Sequence, residues 1–151
     1  MHRSSDINIP APDHMLCFSV YAASLAFNRL YRDLLKQFGL TYPQFLVLLA
    51  LRQKNDRKVN DLGDALFLES NTLTPLLKRM ELSGLVARRR ALNDGRNVLV
   101  SLTEKGARLT EALDCVPPQV FRSTHYTLDE FVALTARLNA LADTLRSHVH
   151  A

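Results

Sequence analysis

A thiol with a file of hydroxyl donors behind it is the first feature of this 151-residue chain. Tyr21 follows Cys17 by one helical turn, and Ser24, Asn28 and Tyr31 continue the same face at spacings of three and four. The thiolate is the nucleophilic form of cysteine, and phenol hydroxyls donate the hydrogen bonds that hold it. With Asp13 as the helix cap, Cys17 takes the fourth helical position, near the positive helix end that favours an anion. Tyr31 lies fourteen residues beyond Cys17, roughly 21 Å at 1.5 Å per residue, out of reach of its own chain's thiol. Antiparallel pairing of two copies would bring the partner's Tyr31 to it. A second reading stands beside this one, because a cysteine between Leu16 and Phe18 also serves as an inert small hydrophobe.

The second feature is a concentration of positive charge. Between Arg52 and Arg108 stand 12 basic and 7 acidic residues, whereas the whole chain carries a net charge of only +4. Within that stretch Ser70, Asn71, Thr72, Thr74, Lys78 and Arg79 offer hydroxyl, amide and cationic donors off the apolar side of one helix. Those are the side-chain types that contact phosphates and base edges. Arg88, Arg89 and Arg90 follow on a strand, and Arg96 lies just past a hairpin tip, suited to a narrow minor groove with its stronger negative potential. A solvated basic face that binds nothing would carry the same charges, so the order of the surrounding elements has to decide.

Those elements are legible in the pattern. After the breaker run Pro10-Ala11-Pro12, apolar residues from Leu16 to Leu34 recur at helical spacing until Gly39. Thr41 and Gln44 form a capping box, with Pro43 in the first turn of a second, very apolar helix reaching about Arg52. Asn60 is positioned to cap a short helix with Asp61 and Asp64 in its first turn. The next helix begins at Ser70 to Thr72, where Pro75 would fall in the first turn, and stops at Ser83-Gly84. Leu85 to Ala91 and Asn97 to Leu102 read as two strands joined through Asn93-Asp94-Gly95. Thr103 caps a helix from Glu104 to about Cys115, which Pro117-Pro118 interrupt. Thr127 and Glu130 repeat the capping box before a last helix with Phe131, Leu134, Leu138, Leu141 and Leu145 on one stripe.

The expected fold is mainly α with a small β-hairpin wing, a winged helix-turn-helix flanked by long terminal helices. It is one chain, 1–151, in which 14–38 and 104–148 supply dimerisation helices and 41–103 the DNA-binding region. The terminal stripes exceed what the small middle can cover and so point to a second copy, the alternative being that the two helices cover each other.

Composition sets the outer limits. The length suits one ordinary domain, and 47% apolar with 23% charged residues describes a packed chain, not a disordered or fibrous one. Two cysteines are too few for a secreted disulfide framework, and a reducing, cytoplasmic setting is expected. Met1 to Asp13 has no apolar signal core, and no run of about 18 uncharged apolar residues follows, so no membrane partner is expected. His2, His14, His125, His148 and His150 are scattered without ligand spacing, and no metal is expected. Phosphate-cradling and catalytic motifs are absent from the sequence, and no cofactor is expected.

Asp94-Gly95-Arg96, followed by Leu102-Thr103-Glu104-Lys105-Gly106, resembles the wing signature of MarR-type transcriptional regulators, with matching element order from about Met15 to Leu145. The resemblance implies a homodimer whose terminal helices interlock and whose winged domains read a near-palindromic double-stranded operator. It also implies that Asp94 orients wing arginines. Leu16-Cys17-Phe18, Tyr21-Ala22-Ala23, Arg29-Leu30-Tyr31-Arg32, Leu40 to Gln44 and Thr72 to Arg79 further resemble the organic hydroperoxide sensors within that family. That resemblance implies that Cys17 is oxidised, that Tyr21 and Tyr31 hydrogen-bond it, and that oxidation releases the operator. Two-cysteine members of that branch carry a resolving cysteine just after a segment like Val116 to Phe121, where this chain has Arg122 to Tyr126. Cys115 precedes the segment instead, as a shifted resolving thiol or an ordinary helix-end residue.

The expectation that follows from the resemblance is a repressor, not an enzyme, released by an organic hydroperoxide acting on Cys17. Two rivals stand: a MarR-type repressor released by a small aromatic or anionic ligand, and a thiol peroxidase for which the basic wing would have no purpose.

Overall fold

The computed structural model describes residues 9–149. They fall into two compact units, one running to Ala107 and one beginning at Arg108. His2 and His150 lie outside the described residues.

The first helix does not start from an Asp13 cap. Pro12–His14 close a single 3-10 turn, Met15 is extended at φ −98° and ψ 128°, and helix α1, Leu16–Leu35, begins there without a side-chain cap. Pro10 and Pro12 explain the correction, since they hold the chain extended up to that short turn and leave Met15 to make the entry. Cys17 therefore becomes the second residue of α1. A 3-10 turn extends the helix to Phe38, and Gly39 at φ 65° closes it in the left-handed region that glycine adopts without strain.

Helix α2, Tyr42–Gln53, has the expected capping box: Gln44 N–H donates to Thr41 Oγ1 at 3.4 Å, and Thr41 N–H donates to Gln44 Oε1 at 3.0 Å. It buries Phe45, Val47, Leu48 and Leu51. A short strand, β1, Arg57–Lys58, follows, and its ladder with Leu99 and Val100 holds Lys58 extended as the cap of helix α3, Val59–Leu66. Asn60 is already inside that helix, which corrects its expected capping role. Helix α4, Ser70–Leu82, buries Leu73, Leu76, Leu77 and Met80. Pro75 lies in the second turn, not the first. It deprives the Asn71 carbonyl of its helical donor, and does so at an exposed residue.

Strands β2, Val86–Ala91, and β3, Asp94–Leu102, form the hairpin, and the sheet order is β1-β3-β2. β3 begins at Asp94, so the connection shortens to Leu92-Asn93 with a register irregularity at Arg90/Ala91. Within this turn the Asp94 carboxylate accepts the Arg96 N–H at 3.1 Å and the Asn97 side-chain amide at 2.9 Å. The hairpin leads into helix α5, Glu104–Ala112. At that junction Thr103 Oγ1 donates to the Gly84 carbonyl at 2.6 Å and accepts from the Gly106 N–H at 3.0 Å. A Cβ on Gly106 would sit 2.0 Å from the Leu85 carbonyl oxygen, so only glycine lets the two backbones approach. The order α2-β1-α3-α4-β2-β3 is a winged helix-turn-helix.

The second unit contains helices α6, Val116–Thr124, and α7, Leu128–Val149, after a 3-10 turn at Leu113–Cys115. Pro117 and Pro118 open α6 instead of ending helical structure, because first-turn amides have no helical acceptor to lose. Thr127 and Glu130 cap α7 reciprocally, and Phe121 meets Phe131 edge-on at 5.2 Å. Leu134, Leu138 and Leu145 of α7 stay exposed, as do Phe18, Leu25 and Phe27 of α1.

Gly106→Ala should lower unfolding stability by about 2 kcal/mol through this backbone clash, read as a reduced urea midpoint at unchanged slope. An unshifted midpoint would mean that the junction relaxes freely.

Candidate nucleic-acid interface and thiol site

Helical periodicity divides α4 into a buried and an open side. Leu73, Leu76, Leu77 and Met80 face the core, leaving Ser70, Asn71, Thr72, Lys78 and Arg79 exposed and Thr74 half-buried. Thr72 Oγ1 donates to Asn71 Oδ1 at 3.5 Å. Between α4 and the hairpin lies a cleft of about 210 Å³, lined among others by Lys58, Asn60, Ser70, Thr74, Arg88 and Arg96. Lys58 and Arg96 stand there beside hydroxyl and amide donors, the side-chain types that contact a phosphate backbone.

The wing arginines divide by partner. Arg88 is held by Glu81 at 3.2 Å with its side chain only 23% exposed, and Arg89 pairs with Asp56 at 3.3 Å. The Glu81 carboxyl is held below the usual carboxylate range by hydrogen bonds from the Arg88 side chain. Asp56 sits at φ 54°, and its neighbour Asn55 accepts the Leu102 N–H at 2.9 Å, so this loop braces the base of the wing. Among the described residues Arg90 and Arg96 make no ion pair, and both are exposed. Asp94 turns the backbone on which Arg96 stands. Sequence pattern did not single out Glu81 or Asp56, since an acidic residue in a basic stretch has no periodic signature.

At the other site, Cys17 is exposed in the first turn of α1, and Tyr21, one turn on, is exposed beside Phe18 with ring centroids 6.1 Å apart. Tyr31 is half-buried, packed on Tyr42 at 4.4 Å and Phe45 at 5.6 Å. Burial, with the neighbouring Tyr42 phenol second, pushes the Tyr31 hydroxyl up to about 12, and burial also raises Tyr42. Both phenols therefore remain protonated donors at neutral pH. The packing of Tyr42 on Tyr31 is a contact that the pattern hid, because its place in the Thr41-Gln44 box explains it as a cap neighbour alone. Since α1 runs unbroken from Leu16 to Leu35, Tyr31 and Cys17 of one chain do not meet.

Cys115 is an exposed free thiol at the entry to α6, its Sγ 3.5 Å from the Ala112 carbonyl. Among the described residues no cluster of three His, Cys, Asp or Glu side chains could hold a metal ion. Among those residues, too, no single helix is long and apolar enough to cross a membrane.

Comparison with known proteins supplies the lineage. A family model described as transcriptional regulator SarA/Rot matches residues 29–113. The transcriptional regulator TtmR of Methylorubrum extorquens is 50% identical over 135 residues, 89% of this chain and 69% of that protein. The organic hydroperoxide resistance transcriptional regulator of Bacillus subtilis is 41% identical over 138 residues, covering 88% of this chain and 94% of its own length. The chain belongs to the MarR family of winged-helix transcriptional regulators. Among solved structures, this MarR-family chain superposes on reduced AbfR bound to DNA with a TM-score of 0.74 at 40% identity, over 89% of this chain and 92% of that one. AbfR is a Staphylococcus epidermidis protein, also solved in an overoxidised DNA-bound form and a disulfide form.

For this MarR-family regulator, Arg96→Ala and Lys78→Ala should each weaken binding to the promoter region beside its own gene. The salt slope should become shallower by about one unit for each phosphate that the variant no longer neutralises. Titrations at several salt concentrations check this, and unchanged affinity and slope in both variants would remove these residues from the interface.

Proposed function

We propose that this regulator represses transcription as a homodimer on an operator and leaves it when an organic hydroperoxide oxidises Cys17. The observation that carries the reading is the separation of parts along α1: an exposed thiol in its first turn and a paired, protonated phenol donor, Tyr31 with Tyr42, near its far end. Antiparallel pairing of α1 with its copy brings the partner's phenols to Cys17 and covers the exposed apolar residues of α1. Repression places the protein with the DNA, in the cytoplasm.

The thiolate attacks the distal oxygen of the hydroperoxide: an S–O bond forms, the O–O bond breaks, and the alkoxide leaves and takes up a proton as alcohol. Cys17 becomes a sulfenic acid. Tyr21 and the partner's Tyr31 and Tyr42 serve as donors, first to the thiolate and then to the developing alkoxide. Since overoxidised AbfR is known on DNA, the releasing form here is assigned to a disulfide: the sulfur of a small thiol or of Cys115 attacks the Cys17 sulfur, an S–S bond forms, and the S–O bond of the sulfenic acid breaks with loss of water. A disulfide adds bulk at a packed helix interface and disfavours the wing spacing that fits the operator.

Ser70, Asn71, Thr72, Thr74, Lys78 and Arg79 read or position the major groove, and Arg90 and Arg96 supply wing contacts. Regulatory relatives and a built wing favour this reading over peroxide turnover.

Tyr31→Phe and Tyr42→Phe should each slow Cys17 oxidation by about tenfold while folding is retained, the loss of one hydrogen bond to a charged group. Cys115→Ser should leave the first step intact, and Cys17→Ser should stay on DNA. Stopped-flow peroxide titration with mass analysis measures all of these; release of Cys17→Ser at the parent's peroxide dose would falsify the thiol trigger.

Assembly is tested separately by Leu138→Asp, which places an unpaired charge in the proposed interface and should drive the dimer to monomer or unfold it. Sedimentation decides, and a tightly DNA-binding monomer at micromolar concentration would end the dimer model.

A further inference from the structure

Ser70, Thr74, Leu77 and Glu81 recur at four, three and four residues along α4 and form one stripe. Its first three members line the cleft against the hairpin. At the far end the stripe closes on β2, where Glu81 accepts three hydrogen bonds from Arg88. The backbone N–H and Nε reach Oε2 at 3.1 and 3.2 Å, and a terminal guanidinium nitrogen reaches Oε1 at 3.2 Å. β2 is an edge strand, so this N–H has no strand partner and takes the carboxylate instead. Among the described residues no other side-chain hydrogen bond joins α4 to the hairpin. At the near end the two elements part, with Ser70 and Thr74 on one wall of the cleft and Arg96 and Asn97 on the other.

We propose that Glu81 is a positioning residue for operator recognition: by clamping Arg88 it sets the distance between the reading face of α4 and Arg96 of the wing. Arg88 then serves this clamp and not the DNA. The inference rests on the DNA-binding reading above, in which α4 and the wing engage separate grooves of one duplex and must be held at a fixed spacing. Electrostatics and positioning predict opposite signs. Removing the Glu81 charge makes the protein more positive, which by charge alone tightens binding to any DNA. Loss of the spacing weakens binding to the specific site only.

Full-length parent, Glu81→Gln, Arg88→Ala and the double variant are titrated across a salt series. The probes are the promoter-region duplex beside its own gene and a scrambled duplex of equal length. Glu81→Gln should bind the promoter duplex about tenfold more weakly, the loss of charge-assisted hydrogen bonds, and the scrambled duplex as tightly as the parent or tighter. Arg88→Ala should lose a similar factor with an unchanged salt slope, and the double variant should be no worse than either single one. Three results overturn the inference: unchanged or tighter promoter binding by Glu81→Gln, additive losses with a shallower slope in Arg88→Ala, or a Glu81→Gln protein that fails to fold. A parent that shows no preference for the promoter duplex overturns the DNA-binding reading itself, and this inference with it.

Discussion

An unbroken helix fixes the distance between any two of its residues, and α1 keeps Cys17 roughly 21 Å from Tyr31. Tyr31 is also pinned from the side by Tyr42 and Phe45, so it has no freedom to approach its own chain's thiol. In the proposed function, a sensor made of these residues is therefore shared between two chains. The same helix carries exposed Phe18, Leu25 and Phe27, whose burial supplies a driving force for pairing. Sensing and assembly are thereby coupled in the proposed function, since a change at Cys17 is a change in the surface that holds the two winged units apart.

The wing shows a related economy. Of the arginines in its two strands, Arg88 and Arg89 are engaged by Glu81 and Asp56, while Arg90 and Arg96 remain open. The exposed Arg89–Asp56 pair contributes about 1 kcal/mol or less to stability, and the part-buried Arg88–Glu81 pair is held by three hydrogen bonds, so both act chiefly by fixing geometry. They join the hairpin to α4 and to the loop before β1, and Thr103 with Gly106 joins its base to α5. Held at these points, the hairpin presents Arg96 from a turn whose shape Asp94 sets.

Much of this was legible from local chemistry. The Thr41-Gln44 and Thr127-Glu130 boxes form, because each pair satisfies its own orphan amides within one turn. The apolar face of α4 is buried at Leu73, Leu76, Leu77 and Met80, as helical spacing requires. Local pattern fails where the deciding partner is distant. β1 is two charged residues that become a strand only because β3 lies alongside, and that pairing displaces Asn60 from the cap of α3. Pro117 and Pro118 read as an interruption, yet they start α6, since a proline that ends one helix equally suits the first turn of the next.

The sequence by itself determined most of the helices, the hairpin and the separation of Cys17 from Tyr31, because each follows from periodicity, capping or helical rise over neighbouring residues, whereas the need for glycine at 106 comes from the Leu85 backbone packed against it. Which phenol stands beside Tyr31, and which arginines remain available to a ligand, was decided only by the tertiary structure. Tyr42 meets Tyr31 because α2 folds back on α1, and Arg88 meets Glu81 because β2 returns along α4. Side chains of one type are indistinguishable in sequence until packing brings some of them to a partner and leaves the others in solvent.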